Sequence, residues 1–154
     1  MDERENTQNA KIHKILAHSY SIYLATLLLG VLLDFLYPQK LFSDSIMIQV
    51  GTVFLGFSTA LIFWAQHTSR NLDITNLTKE SFCRGPYRCT RTPTHWGLFF
   101  LMLGFGIVAN SLYVIGLSFL AFLVTKFIFI KQEEDVLAEK YGQPYLEYKK
   151  SVKL

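Results

Sequence analysis

The feature that most restricts this chain is an apolar tract from His95 to Ile130, broken near its middle only by the polar pair Asn110-Ser111. A bilayer core of ~30 Å takes about 20 helical residues to cross, with a lower limit of ~17. The tract is too long for one such helix and just long enough for two short ones. It therefore reads as a helical hairpin turning at Asn110-Ser111, with a single re-entrant excursion as the alternative. Two earlier apolar runs bring the expected spans to four, over about 20–36, 46–64, 95–109 and 112–130. Hydrophobic residues make up 51% of the chain and charged ones 18%, which suits a membrane protein rather than a soluble domain.

The expected fold is thus an all-α integral membrane protein of about four transmembrane helices. The last two form the short hairpin, and a cytosolic amphipathic C-terminal helix follows. One membrane domain over 1–154 is expected, with a cytosolic loop over 65–94 and a tail over 131–154. A net charge of +3 is too small to argue for nucleic acid as a partner. The N-terminal MDERENTQNAKIHK is too acidic for a signal-peptide start, and no small-residue cleavage site follows the first run, which is expected to be retained.

Lys and Arg set the orientation. Arg4, Lys11 and Lys14 precede the first span, and Arg70, Lys79, Arg84, Arg88 and Arg91 fill the long loop. Lys131, Lys140, Lys149, Lys150 and Lys153 fill the tail, whereas the first loop has only Lys40 and the Asn110-Ser111 turn has none. A multi-pass chain with both termini and the long loop in the cytosol follows. There the sequon Asn76-Leu77-Thr78 meets no glycosyltransferase, and Cys83 and Cys89 stay free thiols. A zinc site would need His67 or His95 to complete it, and none is expected.

Within the spans, Asp34 reads as an interfacial anchor, and Gln49 and Thr52 as helix–helix hydrogen-bonding residues. Gly97, Gly104 and Gly106 read as points of close helix approach.

Two segments carry chemistry. In GPYRCTRTPTHWG, Thr92 and Pro93 make an N-cap and first-position pair for the third span. The helix start leaves unpaired N–H groups that favour an anion, and Arg91 adjoins them. In the second, Glu133 and Glu134 leave the last span together, Gly142 reads as a helix cap, and Pro144 opens the next turn. Tyr145, Tyr148 and Val152 then share one face, as in a helix lying on headgroups. An anion site and a cation site at opposite ends of a short hairpin suit a zwitterion.

Together these segments resemble the isoprenylcysteine carboxyl methyltransferase and phospholipid methyltransferase superfamily. Its pattern G-P-Y-R-x-x-R-H-P-x-Y-x-G, two apolar helices, then E-E-x-x-L-x-x-x-[FY]-G-x-x-Y-x-x-Y, reads here GPYRCTRTPTHWG and EEDVLAEKYGQPYLEY. Trp64 to Asn71 resembles the family's lead-in, so the likeness covers about Trp64 to Val152. The resemblance implies S-adenosyl-L-methionine bound by Tyr87, Arg91, Thr92, Pro93, Thr94 and His95, with Glu134 holding its α-amino group and Glu133 beside it. It implies a lipophilic membrane-soluble acceptor near Lys131, Tyr145 and Tyr148, and assigns no catalytic acid or base.

Three positions depart from the pattern. Thr92 stands for its His, His95 for the Tyr two residues after the Pro, and Ile130 for a substrate-binding Arg of the carboxyl methyltransferases. Phospholipid methyltransferases carry Asn at the Thr92 position, another short capping residue. Two other readings remain beside a methyltransferase: an NADPH-dependent membrane reductase of the sterol reductase type, and a non-catalytic member of the family.

Overall fold

The computed structural model describes residues 3–42, 45–70 and 78–152, and the chain is helical almost throughout them. Asn71, the sequon residues Asn76 and Leu77, and Lys153 lie outside the described residues. Helix α1 spans Glu3–Leu36 and α2 spans Ile46–Arg70. A single-turn α3, Lys79–Phe82, and a 3₁₀ turn, Gly85–Arg88, lead to α4, Pro93–Val108. Helix α5, Leu112–Val124, passes through a π-helical turn, Thr125–Phe129, into α6, Ile130–Tyr141, and α7 covers Gln143–Ser151.

Three of these elements are long and apolar enough to cross a membrane: Ala17–Leu36, Ile46–Arg70 and Leu112–Tyr141. The hairpin arms are unequal. Helix α4, at 16 residues, rises only ~24 Å, while the second arm continues past Ile130 without a break and reaches 30 residues at Tyr141. The acidic segment is therefore the end of the spanning rod rather than a separate tail. Helix α2 likewise runs past Trp64 to Arg70 and takes in the first part of the expected loop.

The hairpin turn falls at Asn110-Ser111. Asn110 adopts φ 53°, a left-handed conformation that Asn tolerates better than most residues. Its Oδ1 accepts hydrogen bonds from the N–H groups of Leu41 (2.9 Å) and Phe42 (2.8 Å), and its Nδ2 donates to the Phe42 carbonyl at 2.7 Å. Ser111 Oγ accepts from Val114 N–H at 3.3 Å and caps α5. One polar residue thus closes the hairpin and ties it to the α1–α2 connection.

Helices meet through small residues, as expected where lipid supplies no hydrophobic drive for association. Gly51, Ser58 and Ala65, seven residues apart on α2, are all buried. They face Gly97 and Gly104 of the antiparallel α4. A Cβ on Gly104 would stand 3.0 Å from the Gly51 carbonyl oxygen and the Leu55 nitrogen. On the other side α1 packs antiparallel on α5, with Gly30 against Val114. Large apolar side chains such as Leu28, Phe35, Val53, Phe63 and Phe127 point outward. Asp34, expected at the interface, is only half-exposed, and its Oδ1 is buried with no hydrogen-bond partner among the described residues.

Tyr145, Tyr148 and Val152 share one face of the C-terminal helix, and that face is buried in the protein. Phe82 of α3 supplies the partner surface, with ring centroids 5.3 to 5.7 Å from Tyr141, Tyr145 and Tyr148. Gly142, at φ 63°, ends α6 and starts α7, which folds the last helix back onto α3.

Candidate functional site

The segment between α2 and α4, the end of α6 and helix α7 come together at the end of the bundle away from the Asn110-Ser111 turn. A cavity of about 460 Å³ opens there, lined by Tyr87, Arg91, Thr92, Pro93, Thr94, His95, Glu133, Tyr145 and Tyr148 among others. Of the residues expected at the site, only Glu134 and Lys131 are absent from its wall. Lys131 is exposed, and Glu134 faces a second, smaller cavity beside Arg91 and Thr92.

The start of α4 forms one side of the larger cavity. Pro93 occupies the first helical position, and the Trp96 N–H makes the first turn's bond to the Thr92 carbonyl at 3.3 Å. Thr92 sits at the N-cap position, but its side chain makes no capping hydrogen bond, contrary to expectation. Its φ of −129° and ψ of 58° depart from the usual extended cap, and its own N–H is held by Thr90 Oγ1 at 3.3 Å. The N–H groups that helix geometry leaves over at Thr94 and His95 consequently remain uncapped at the cavity wall. Partial positive charge gathers there.

Glu133 forms the opposite side. Its Oε2 lies 3.2 Å from His95 Nε2, and His95 Nδ1 lies 3.3 Å from Ser19 Oγ on α1. A carboxylate only accepts, so Nε2 carries the proton. Nδ1, on the other side of the ring, faces the Ser19 hydroxyl, which can donate to it. Ser19 and His95 are both buried. The imidazole is fixed from both sides and leaves the Glu133 charge facing the cavity.

Glu134 has a different role. Arg91 Nη1 approaches its Oε1 at 2.6 Å and Lys149 Nζ its Oε2 at 2.9 Å. The expected neighbour at an anion site, Arg91, is thus tied to a carboxylate, and the pair clamps the basic loop and α7 to α6. Cys83 and Cys89 are free thiols.

Aromatic hydroxyls complete the wall. Burial pushes the Tyr87 phenol above its ordinary range, hydrogen bonds with Thr94 and Ser69 oppose the shift, and the Glu133 charge adds to it. Burial, then the charges of Glu134 and Glu133, raise Tyr145 further. Tyr148 is raised chiefly by burial, and its hydroxyl donates to the Tyr87 carbonyl at 2.8 Å. These phenols are therefore neutral donors at physiological pH, not bases.

Sequence reasoning missed Ser19 and Tyr20 of α1, Gln66, Ser69 and Arg70 of α2, and Phe82 of α3. Gln66, Ser69 and Arg70 lie in the lead-in segment, which gave a regional signal. Ser19 and Tyr20 carried none, since the contact to His95 joins positions 76 apart.

The cavity brings together the N–H groups at the start of α4, the Glu133 carboxylate held by His95, and aromatic rings, an arrangement that suits a zwitterion. No curated protein and no solved structure matches the chain. A model of the phospholipid methyltransferase family, however, matches residues 45–144, a stretch that takes in α2, the first motif segment, the hairpin, and the second motif as far as Pro144. With that match over more than half its length and three helices able to cross a bilayer, the chain belongs to the phospholipid methyltransferase family of integral membrane methyltransferases.

Proposed function

We propose that the protein transfers a methyl group from S-adenosyl-L-methionine to a lipophilic acceptor dissolved in the membrane, at the cytosolic face. The observation that carries this reading is the pairing, in one cavity, of the uncapped α4 start with the Glu133 carboxylate. These two groups match the α-carboxylate and α-ammonium of the cofactor's amino-acid part. The cavity's about 460 Å³ falls within the ~300–1,000 Å³ usual for small-molecule sites. Tyr87, Tyr141 and Tyr145 line the cavity and offer aromatic surface to the adenosine portion.

When bound, the sulfonium group supplies an electrophilic methyl carbon. An acceptor lone pair aligned with that carbon would form the new bond as the carbon–sulfur bond breaks toward sulfur. The chain's residues need only align the two reactants and exclude water. Ser19 and His95 hold Glu133 in place, and the Arg91–Glu134–Lys149 cluster closes the wall behind it. The distribution of Lys and Arg argues that this end faces the cytosol.

Calorimetry on the purified protein in detergent tests the reading. S-adenosylhomocysteine should bind and NADPH should not. Absence of S-adenosylhomocysteine binding at millimolar concentration would sink it, and NADPH binding in its place would favour a reductase.

A further inference from the structure

The rod from Leu112 to Tyr141 turns one stripe of residues inward: Val114, Ser118, Ala121 and Thr125 are all buried, at spacings of four, three and four. Each α-helical residue advances about 100°, so this spacing keeps to a single face. An unbroken α-helix would bring Gln132, seven residues on, back into line with Thr125. Glu133 would then stand about 80° off that line, and Glu134 on the opposite face. The structure has Gln132 exposed, Glu133 on the wall of the larger cavity and Glu134 buried. The rotation is late by one residue. The π turn at Thr125–Phe129 takes up that residue, with the Ile130 N–H bonded to the Thr125 carbonyl five positions back.

Helix α1 holds the rod on both sides of this turn. Ser19 and Tyr23, one helical turn apart on α1, are both buried. Ser19 reaches Glu133 through His95, beyond the turn. Tyr23 meets the beginning of the turn, where its hydroxyl faces that of Thr125. Neither hydroxyl has another hydrogen-bond partner among the described residues. A hydroxyl both donates and accepts and is costly to bury unmet, so each is the other's natural partner. With Thr125 and Glu133 both tied to one face of α1, the extra residue between them fits only as a wide turn.

We infer that the Thr125–Phe129 turn sets the rotation that puts Glu133 in the larger cavity, and that Tyr23 and Thr125 are positioning residues for Glu133. They pin the near end of the turn to α1, as Ser19 and His95 pin the far end. What Glu133 holds there rests on the proposed function, but its rotation needs no cofactor.

Two readouts test this in detergent, in a Cys83→Ala, Cys89→Ala background. One is the rate at which a water-soluble maleimide labels Gln132→Cys. The other is S-adenosylhomocysteine affinity, measured without that substitution. Phe127 is 73% exposed, so its deletion removes little packing. Deleting it lets the turn close as an α-helix with Glu133 still in line, so fast labelling and parental affinity are expected. Inserting one Ala after Phe127 turns Gln132 inward, with loss of fast labelling and an affinity lowered by roughly tenfold or more. Tyr23→Phe and Thr125→Val should act like the insertion, and Thr125→Ser like the parent. Once Phe127 is deleted, Thr125→Val should have no effect. Equal damage from deletion and insertion would overturn the role of the turn. Equal losses in Thr125→Val with and without Phe127 would remove Tyr23 and Thr125 from it, as would parental values in both hydroxyl variants. If the parent fails to bind S-adenosylhomocysteine, the methyltransferase reading falls, while the labelling rates still decide the rotation.

Discussion

Glu133 and Glu134, neighbours in sequence, serve opposite sides of one wall: Glu133 meets His95 at 3.2 Å in the larger cavity, whereas Glu134 is held by Arg91 at 2.6 Å. Lys149 joins Glu134 at 2.9 Å. One carboxylate thus lines the larger cavity, and the other is paired with the protein's own cations. Glu133→Gln should lower S-adenosylhomocysteine affinity by tenfold or more, on the order of one charge-assisted hydrogen bond, with thermal stability little changed. Glu134→Gln should show the reverse, a lower Tm from loosening the loop and α7 with a smaller loss of affinity. Calorimetry and thermal unfolding on both variants check this, and equal affinity losses would remove the distinction.

Ser19 acts on the site only through His95. Ser19→Ala removes the hydroxyl that donates to Nδ1 and leaves a buried ring nitrogen unpaired, a cost of about 1–3 kcal/mol. Tm in detergent should fall accordingly. Affinity for S-adenosylhomocysteine should fall less than in Glu133→Gln, because the Glu133 charge remains and only its orientation loosens.

The contact between α2 and α4 is set by backbone rather than by side chains. In Gly104→Ala the new Cβ meets the Gly51 carbonyl and the Leu55 nitrogen at 3.0 Å, and neither can swing aside. Overpacking of this kind costs about 1–3 kcal/mol. Gly116, also helical, has nothing within 4 Å of a built Cβ. Gly116→Ala should therefore be neutral or stabilising by roughly 0.5–1 kcal/mol. Unfolding by titration with a denaturing detergent should rank the two variants in that order.

How much of this was legible in the sequence depended on the range of the interaction. The Asn110-Ser111 turn and the break at Gly142 showed because local backbone chemistry decides them, and both motifs converge on the cavity as their pairing suggested. The continuous rod to Tyr141 did not show, because hydropathy falls at Lys131 while the backbone hydrogen bonding does not. The uncapped Thr92 was hidden for a different reason: Thr-Pro favours a cap, but the loop from Thr90 holds the backbone elsewhere. The inward face of α7 depends on Phe82, a residue in a four-residue helix that periodicity cannot detect. Ser19 was beyond reach, since a serine on an apolar helix looks the same whether or not an imidazole lies opposite.

The tyrosine wall gives the fold a pH limit. Tyr145 is held above its unfolded pKa of 10.0, first by burial and then by the charges of Glu134 and Glu133. A group raised in the folded state binds its proton more tightly there, so its contribution is fully present below pH 10.0 and is lost as pH rises through the folded value. Tm should therefore hold up to about pH 10 and decline beyond it. Tyr148 is raised in the same sense and should add to the slope. In Tyr145→Phe the alkaline decline should be shallower than in the parent protein, because one of the phenols that must ionise is gone. A Tm series taken from neutral pH into the alkaline range measures this directly. An unchanged slope in the variant would mean that the decline arises elsewhere.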